Sequence, residues 1–348
     1  MRFIGKAAKK MSRLERVTLG AVAMLIASVA SEQSMAHNPQ DFGQFLRGST
    51  MGDPVGAAPP PGVYFENTTL FAPQIWGNGQ VDGLKVDALV DVPLLVWSTG
   101  WSFLGANVVA YVAQPVFNLT AWLNSASGVP NTPAQFYPTM HNTYVNPVAL
   151  SWNLGGGLFA SVGFGVYLPD GSRYDLTANP DYWTFEPHAA VSYLANGWDL
   201  TAHFLYDFNT ASAGHASPFA KTPAAAFGIG YRSGDQAFLD LTATKKFGKW
   251  EVGPVAYFEW QTTSDKPGSG FTCAEMLAAT TVPCGRATDY ALGALIGYDW
   301  GPVALKFIMT QTVYHKDELG GFALWTKIAF PLLGTDPSPP AQKPPITK

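Results

Sequence analysis

Charge is scarce in this chain. Asp, Glu, Lys and Arg make up 13% of its 348 residues, about half the roughly 25% usual in soluble proteins. The formal net charge of -4 brings no basic footprint. No Lys/Arg cluster beyond residue 36 stands ready to neutralise phosphates, which argues against nucleic acid as a partner. Long apolar runs are also missing past the N-terminus, so a helical multi-span transporter is excluded. There is no GxSxG elbow, and the GxG triplets precede no helical pattern. A lipid hydrolase built on a barrel wall needs a Ser–His pair facing its substrate, and no His falls at an outward strand position, so the sequence speaks against an enzyme. Only two cysteines occur, Cys273 and Cys284. In an oxidising compartment they are expected to close one short loop, worth on the order of 3 kcal/mol. No His lies nearby to complete a metal site, and no cofactor is implied.

Aromatics are plentiful, at 14%, and Gly numbers 35. Residues 1–36 carry an Arg/Lys-rich start, an apolar stretch ending at Ala30 and the small-residue pattern Ser34-Met35-Ala36, the layout of a secretory signal peptide cut after Ala36. Residues 37–62 are rich in Pro, Gly and polar side chains and read as a flexible N-terminal segment, either a periplasmic lead or a piece folded into a lumen. Residues 331–348 form a Pro-rich tail.

Between them, residues 63–330 alternate with period two. In "WDLTAHFLYDFN" (198–209), Trp198, Leu200, Ala202, Phe204, Tyr206 and Phe208 share one face, while Asp199, His203 and Asp207 lie on the other. About twelve such segments are predicted, at 63–74, 84–97, 101–114, 144–153, 157–168, 183–195, 198–209, 225–247, 250–263, 288–300, 302–314 and 320–330. Short turns alternate with longer loops, as in an up-and-down antiparallel transmembrane β-barrel. The aromatic pairs Trp183/Tyr193, Trp198/Phe208, Trp250/Trp260 and Tyr290/Trp300 fall ten residues apart on outward parity. Ten tilted strand residues cover roughly 24 Å, the height of the apolar band between the aromatic girdles of an outer-membrane barrel. The oily faces are therefore assigned to lipid and the polar faces to a lumen. The expected location is the outer membrane of a Gram-negative bacterium, with its lipid and the barrel-assembly machinery as partners.

Parity assigns to the lumen the acids Glu66, Asp87, Asp91, Glu186, Asp199 and Asp207, together with Asp240, Glu251 and Glu259. It also places there Lys85, Lys246, Lys306 and Lys327, and the imidazoles His188 and His203. Charges of mixed sign in a narrow barrel either brace the lumen as an ion-pair network or line an aqueous constriction. An aromatic pocket of Tyr64, Phe103, Tyr111, Phe159, Tyr167 and Tyr257 is expected inside, with Trp122, Phe136 and Tyr137 from the long loop, suited to sheltering an apolar solute. Pro93, Pro187 and Pro254 fall within strands, where each marks a bulge or a local opening of the wall.

Several stretches resemble an outer-membrane transporter family named after the meta-pathway of phenol degradation. They are "PPGVYFENTTLF" (60–71), "NPVALSWNL" (146–154), "VYLPDGSRYD" (166–175), "WTFEPHAAVSYL" (183–194), "YDFNTAS" (206–212), "YRSGD" (231–235), "GPVAYFEWQTTSD" (253–265), "GYDWGPVALKF" (297–307) and "GGFALWTKIAF" (320–330). Their ordered succession carries the resemblance. Asn146 stands where the family usually has Asp, the Cys273–Cys284 loop is an addition, and the chain continues past the terminal aromatic, Phe330. The resemblance implies a barrel that passively takes up small hydrophobic compounds, aromatic ones among them. The alternative is a structural or ligand-binding barrel with a closed lumen.

Overall fold

The computed structural model describes residues 43–78, 84–123, 133–172, 180–211, 231–267, 272–273 and 284–334. The signal peptide, residues 37–42, the tail from 335 onward and the side chains of Trp122, Phe136 and Tyr137 lie outside the described residues. In chain order the strands are β1 (Gly62–Gly77), β2 (Leu84–Phe103), β3 (Ala106–Ala113), β4 (Val116–Leu123), β5 (Pro133–Met140), β6 (Tyr144–Gly155), β7 (Leu158–Tyr167), β8 (Thr184–Ala195) and β9 (Trp198–Asn209). They continue as β10 (Tyr231–Arg232), β11 (Gln236–Phe247), β12 (Trp250–Gln261), β13 (Lys266–Pro267), β14 (Thr288–Asp299), β15 (Ala304–Lys316), β16 (Leu319–Gly320) and β17 (Phe322–Leu333).

β3 and β4 lie end to end along β2, and β5 and β6 end to end along β4 and β3. Each of these two pairs acts as one long strand, so the wall has twelve antiparallel strands. β1 pairs with both β2 and β17, which closes the barrel and removes its edges. The stretch 115–143, read from the sequence as one of the longer connections, contributes β4 and β5. The turn expected at 98–100 falls instead at Leu104–Gly105, where both residues adopt positive φ.

The aromatic pattern lands on the outer surface. Along β9, Trp198, Phe204 and Phe208 are 40%, 40% and 47% exposed, while Asp199, His203 and Asp207 between them are buried. Trp183, Trp250 and Trp300 are likewise exposed. Each strand proline keeps its pairing on one side, Pro93 with Asn67, Pro187 with Phe164 and Pro254 with Ala294, and sits at a gap in the ladder on the other. A residue with no N–H is tolerated where a ladder is already interrupted. Cys273 and Cys284 are bonded.

Candidate functional site

Residues 43–61 run through the lumen. Gly48 and Gly52 take φ of 82° and 83° and let this segment coil in successive turns, Met51 N–H donating to Gly48 O and Asp53 N–H to Thr50 O. The Gly48 and Gly52 backbones also pass so close to Tyr257 and Leu295 that an added Cβ would lie 2.7 and 2.6 Å from those side chains. Inward residues of the wall hold the segment. Asp240 accepts from the Gly48 and Thr50 amides and the Thr50 hydroxyl, Thr242 from Gly52 N–H, Ser192 from Gly56 N–H and Ser151 from Ala58 N–H. Lys306 donates to Gly52 O and pairs with Glu251 at 3.3 Å; Lys327 pairs with Asp53 and, at 3.5 Å, with Glu66.

Near the end of the barrel carrying the long loops, Arg47 forms the densest ion cluster. Its guanidinium lies 2.9 Å from Glu259, 2.7 Å from Asp289 and 3.3 Å from Glu318, and donates to Leu319 O at 2.8 Å. Burial opposes its charge, but Glu259, Glu318 and Asp289 outweigh that and hold its pKa above the ordinary arginine value. Beside it Phe45 packs on Phe238 and Leu205, and Asn142 bonds Gln44 and Pro180 O.

A polar chain crosses the middle. Tyr111 Oη lies 2.8 Å from His188 Nε2, His188 Nδ1 3.2 Å from His203 Nε2, and His203 Nδ1 3.0 Å from the Thr50 hydroxyl. Along the segment opens a cavity of about 560 Å³. It extends from Phe45, Tyr167 and Glu186 to Lys246, Lys249 and Asp299 at the short-turn end. Val92, Leu94, Val96 and Val109 supply apolar wall.

Most of the expected luminal set is brought together here: Glu66, Glu186, His188, Asp199, His203 and Asp207, then Asp240, Glu251, Glu259, Lys306 and Lys327, with Lys246 at the mouth. Tyr64, Tyr111, Tyr167 and Tyr257 also point inward, the first three lining the cavity, while Phe159 has inward parity without reaching it. Four assignments are corrected. Lys85, Asp87, Asp91 and Phe103 lie on the outer face, because on β2 it is Val86, Ala88 and Val90 that are buried inside against Met51 and its neighbours. The rule of oily outside and polar inside reverses there. Asp91 is satisfied on the outer surface by the Thr69 hydroxyl at 2.6 Å, and Asp87 accepts from Gln74 N–H at 2.6 Å. Sequence reasoning missed Arg47, Asp53 and Asp289. Outward Tyr290 already implied an inward Asp289, and Arg47 is the lone cation of residues 37–62, a usable signal once that segment is placed inside.

A closed wall with an apolar exterior, aromatic rings at both rims and a buried polar interior defines an outer-membrane β-barrel of a Gram-negative bacterium. Over residues 73–328 the chain matches the family described as MetA-pathway of phenol degradation, and it belongs to that family. No curated protein matches the sequence. Among solved structures, the COG4313 outer membrane channel from Pseudomonas putida F1 shares the fold with a TM-score of 0.63 at 11% identity, over 81% of this chain and 98% of that one. The TodX deltaS2S3 mutant monoaromatic hydrocarbon channel scores 0.39 at 10% identity, covering 82% and 92%. The outer membrane phospholipase A from Escherichia coli scores 0.34 at 10% identity, covering 82% and 98%. The last two likenesses are too weak to carry an argument.

Proposed function

We propose that the protein is a gated, non-enzymatic conduit that passively admits small hydrophobic solutes, aromatic compounds among them, across the outer membrane. The observation that carries this reading is the cavity of about 560 Å³, within the range of a small-molecule site. Its Val92, Leu94, Val96 and Val109 surface suits an apolar guest, and its continuation to the short-turn end, which faces the periplasm in such barrels, supports release there. At the outer end, residues 43–48 act as the gate: Arg47, Phe45 and Gln44 tie the segment to the wall above the cavity. The sealed-lumen barrel is the alternative outcome of the test. In equilibrium dialysis, detergent-solubilised protein is expected to retain naphthalene saturably at about one molecule per chain, and Val96→Trp with Val109→Trp, which fill the cavity, should abolish retention. Absence of saturable binding by the wild type would remove the reading.

A further inference from the structure

Glu186 on β8 and Asp207 on β9 are 1% and 0% exposed. The β8–β9 ladder is paired at Phe185–Phe208 and again at His188–Leu205, and the two acids face each other across the gap between those pairs. Like charges set opposite one another on neighbouring strands repel, and a buried charge demands a partner. Yet among the described residues the cations deep in the lumen are committed elsewhere, Arg47 to Glu259, Asp289 and Glu318, Lys306 to Glu251, Lys327 to Asp53 and Glu66, while Lys246 and Lys249 lie exposed at the far, short-turn mouth. Tyr144 donates to Glu186 Oε1 at 2.5 Å. Tyr167 also approaches Glu186, the Phe45 backbone N–H approaches Asp207, and the two carboxyls contact one another, but no cation pairs with either of them among the described residues.

Three rings surround this pair. Tyr144 lies 4.6 Å from Tyr167 and 5.9 Å from Tyr111, centroid to centroid, and all three line the cavity with Glu186. Aromatic faces attract cations, and organic ammonium ions most characteristically. A small inorganic cation would leave the adjoining apolar wall of Val92, Leu94 and Val109 unused.

We propose that Glu186, Asp207 and the tyrosines Tyr111, Tyr144 and Tyr167 form a capture site for an organic ammonium ion with an apolar body, seated beneath the gate. The ammonium supplies the positive charge the two carboxylates lack, and the apolar body lies along the valine wall. The proposal rests on the conduit reading and narrows it from hydrophobic solutes in general to hydrophobic amines. A neutral molecule of the same shape gains only the apolar contact.

The test compares 2-phenylethylammonium with 2-phenylethanol, of nearly equal size, by calorimetric titration of the full-length protein in detergent at pH 7. Wild type is expected to bind the amine at least tenfold tighter than the alcohol. In Glu186→Gln/Asp207→Asn the ratio should fall to about one while alcohol affinity stays within twofold, which also shows that the barrel is intact. Equal affinities in wild type, or an amine preference that survives both substitutions, would overturn the site while leaving the conduit standing. Failure of wild type to bind either compound would overturn both.

Discussion

Replacing Arg47 by Ala probes the gate most sharply. The substitution deletes ion pairs to three carboxylates and the hydrogen bond to Leu319 O. Breaking a buried ion pair by removing one partner costs about 3–5 kcal/mol, because the remaining charges stay buried and uncompensated. Here Glu259 is 3% and Asp289 0% exposed, so little solvent relieves them while the segment stays seated. Unseating residues 43–48 lets water reach all three acids and recovers most of that cost. The seated-to-unseated ratio should therefore fall by roughly two to four orders of magnitude, at about 1.4 kcal/mol per tenfold. The segment is not lost altogether, because Asp240, Thr242, Ser192 and Ser151 still hold residues 48–58. Single-channel recording in planar bilayers should show frequent or sustained openings for Arg47→Ala where wild type is mostly closed, with Arg47→Lys in between. If Arg47→Ala reconstitutes as a folded barrel and conducts like wild type, the latch does not exist.

Other consequences follow from the same contacts. Lys327→Ala leaves Glu66 and Asp53 without their cation, so the temperature at which the folded barrel loses its fast electrophoretic migration should drop, by an amount reflecting about 3–5 kcal/mol. Phe204→Arg puts a charge on the lipid face midway between Trp198 and Phe208; folding into vesicles should weaken by about 2–4 kcal/mol in urea titrations. Lys85→Ala and Asp87→Ala, being outside the lumen, should leave ion conductance unchanged, whereas Glu251→Gln, which removes the carboxylate paired with Lys306 and leaves it only Gly52 O, should alter ion selectivity. Burial lowers the His141 pKa to about 4, so its neutral form contributes stability that is complete above the unfolded value near 6.5 and is lost as pH falls toward 4, about 3 kcal/mol in all. Thermal melts should show that loss on acidification, and His141→Phe should flatten the corresponding part of the profile.

The wall was legible in the sequence because lipid imposes one rule on every spanning strand. Trp198, Phe204 and Phe208 on one face of β9 and Asp199, His203 and Asp207 on the other could be read without any tertiary information. The rule failed on β2, where Val86, Ala88 and Val90 pack inside against Met51 of the luminal segment. Asp91 stays on the outer face opposite Thr69, whose hydroxyl bonds its carboxylate. β4 was hidden for a related reason, as its Phe117 and Leu119 are buried on the inner face in the same apolar cluster. The candidate site was half legible. Parity found the wall's acids, lysines and tyrosines, but their partners Arg47, Thr50 and Asp53 sit in a stretch without periodicity, where only long-range contacts decide which side chain meets which.

Influx of a neutral aromatic solute into proteoliposomes bears most directly on the central claim. Wild-type protein should admit 2-naphthol faster than empty vesicles, Arg47→Ala faster still, and Val96→Trp with Val109→Trp no faster than lipid alone. Rates for wild type and Arg47→Ala that match empty vesicles, with folded barrels present in the membrane, would contradict it.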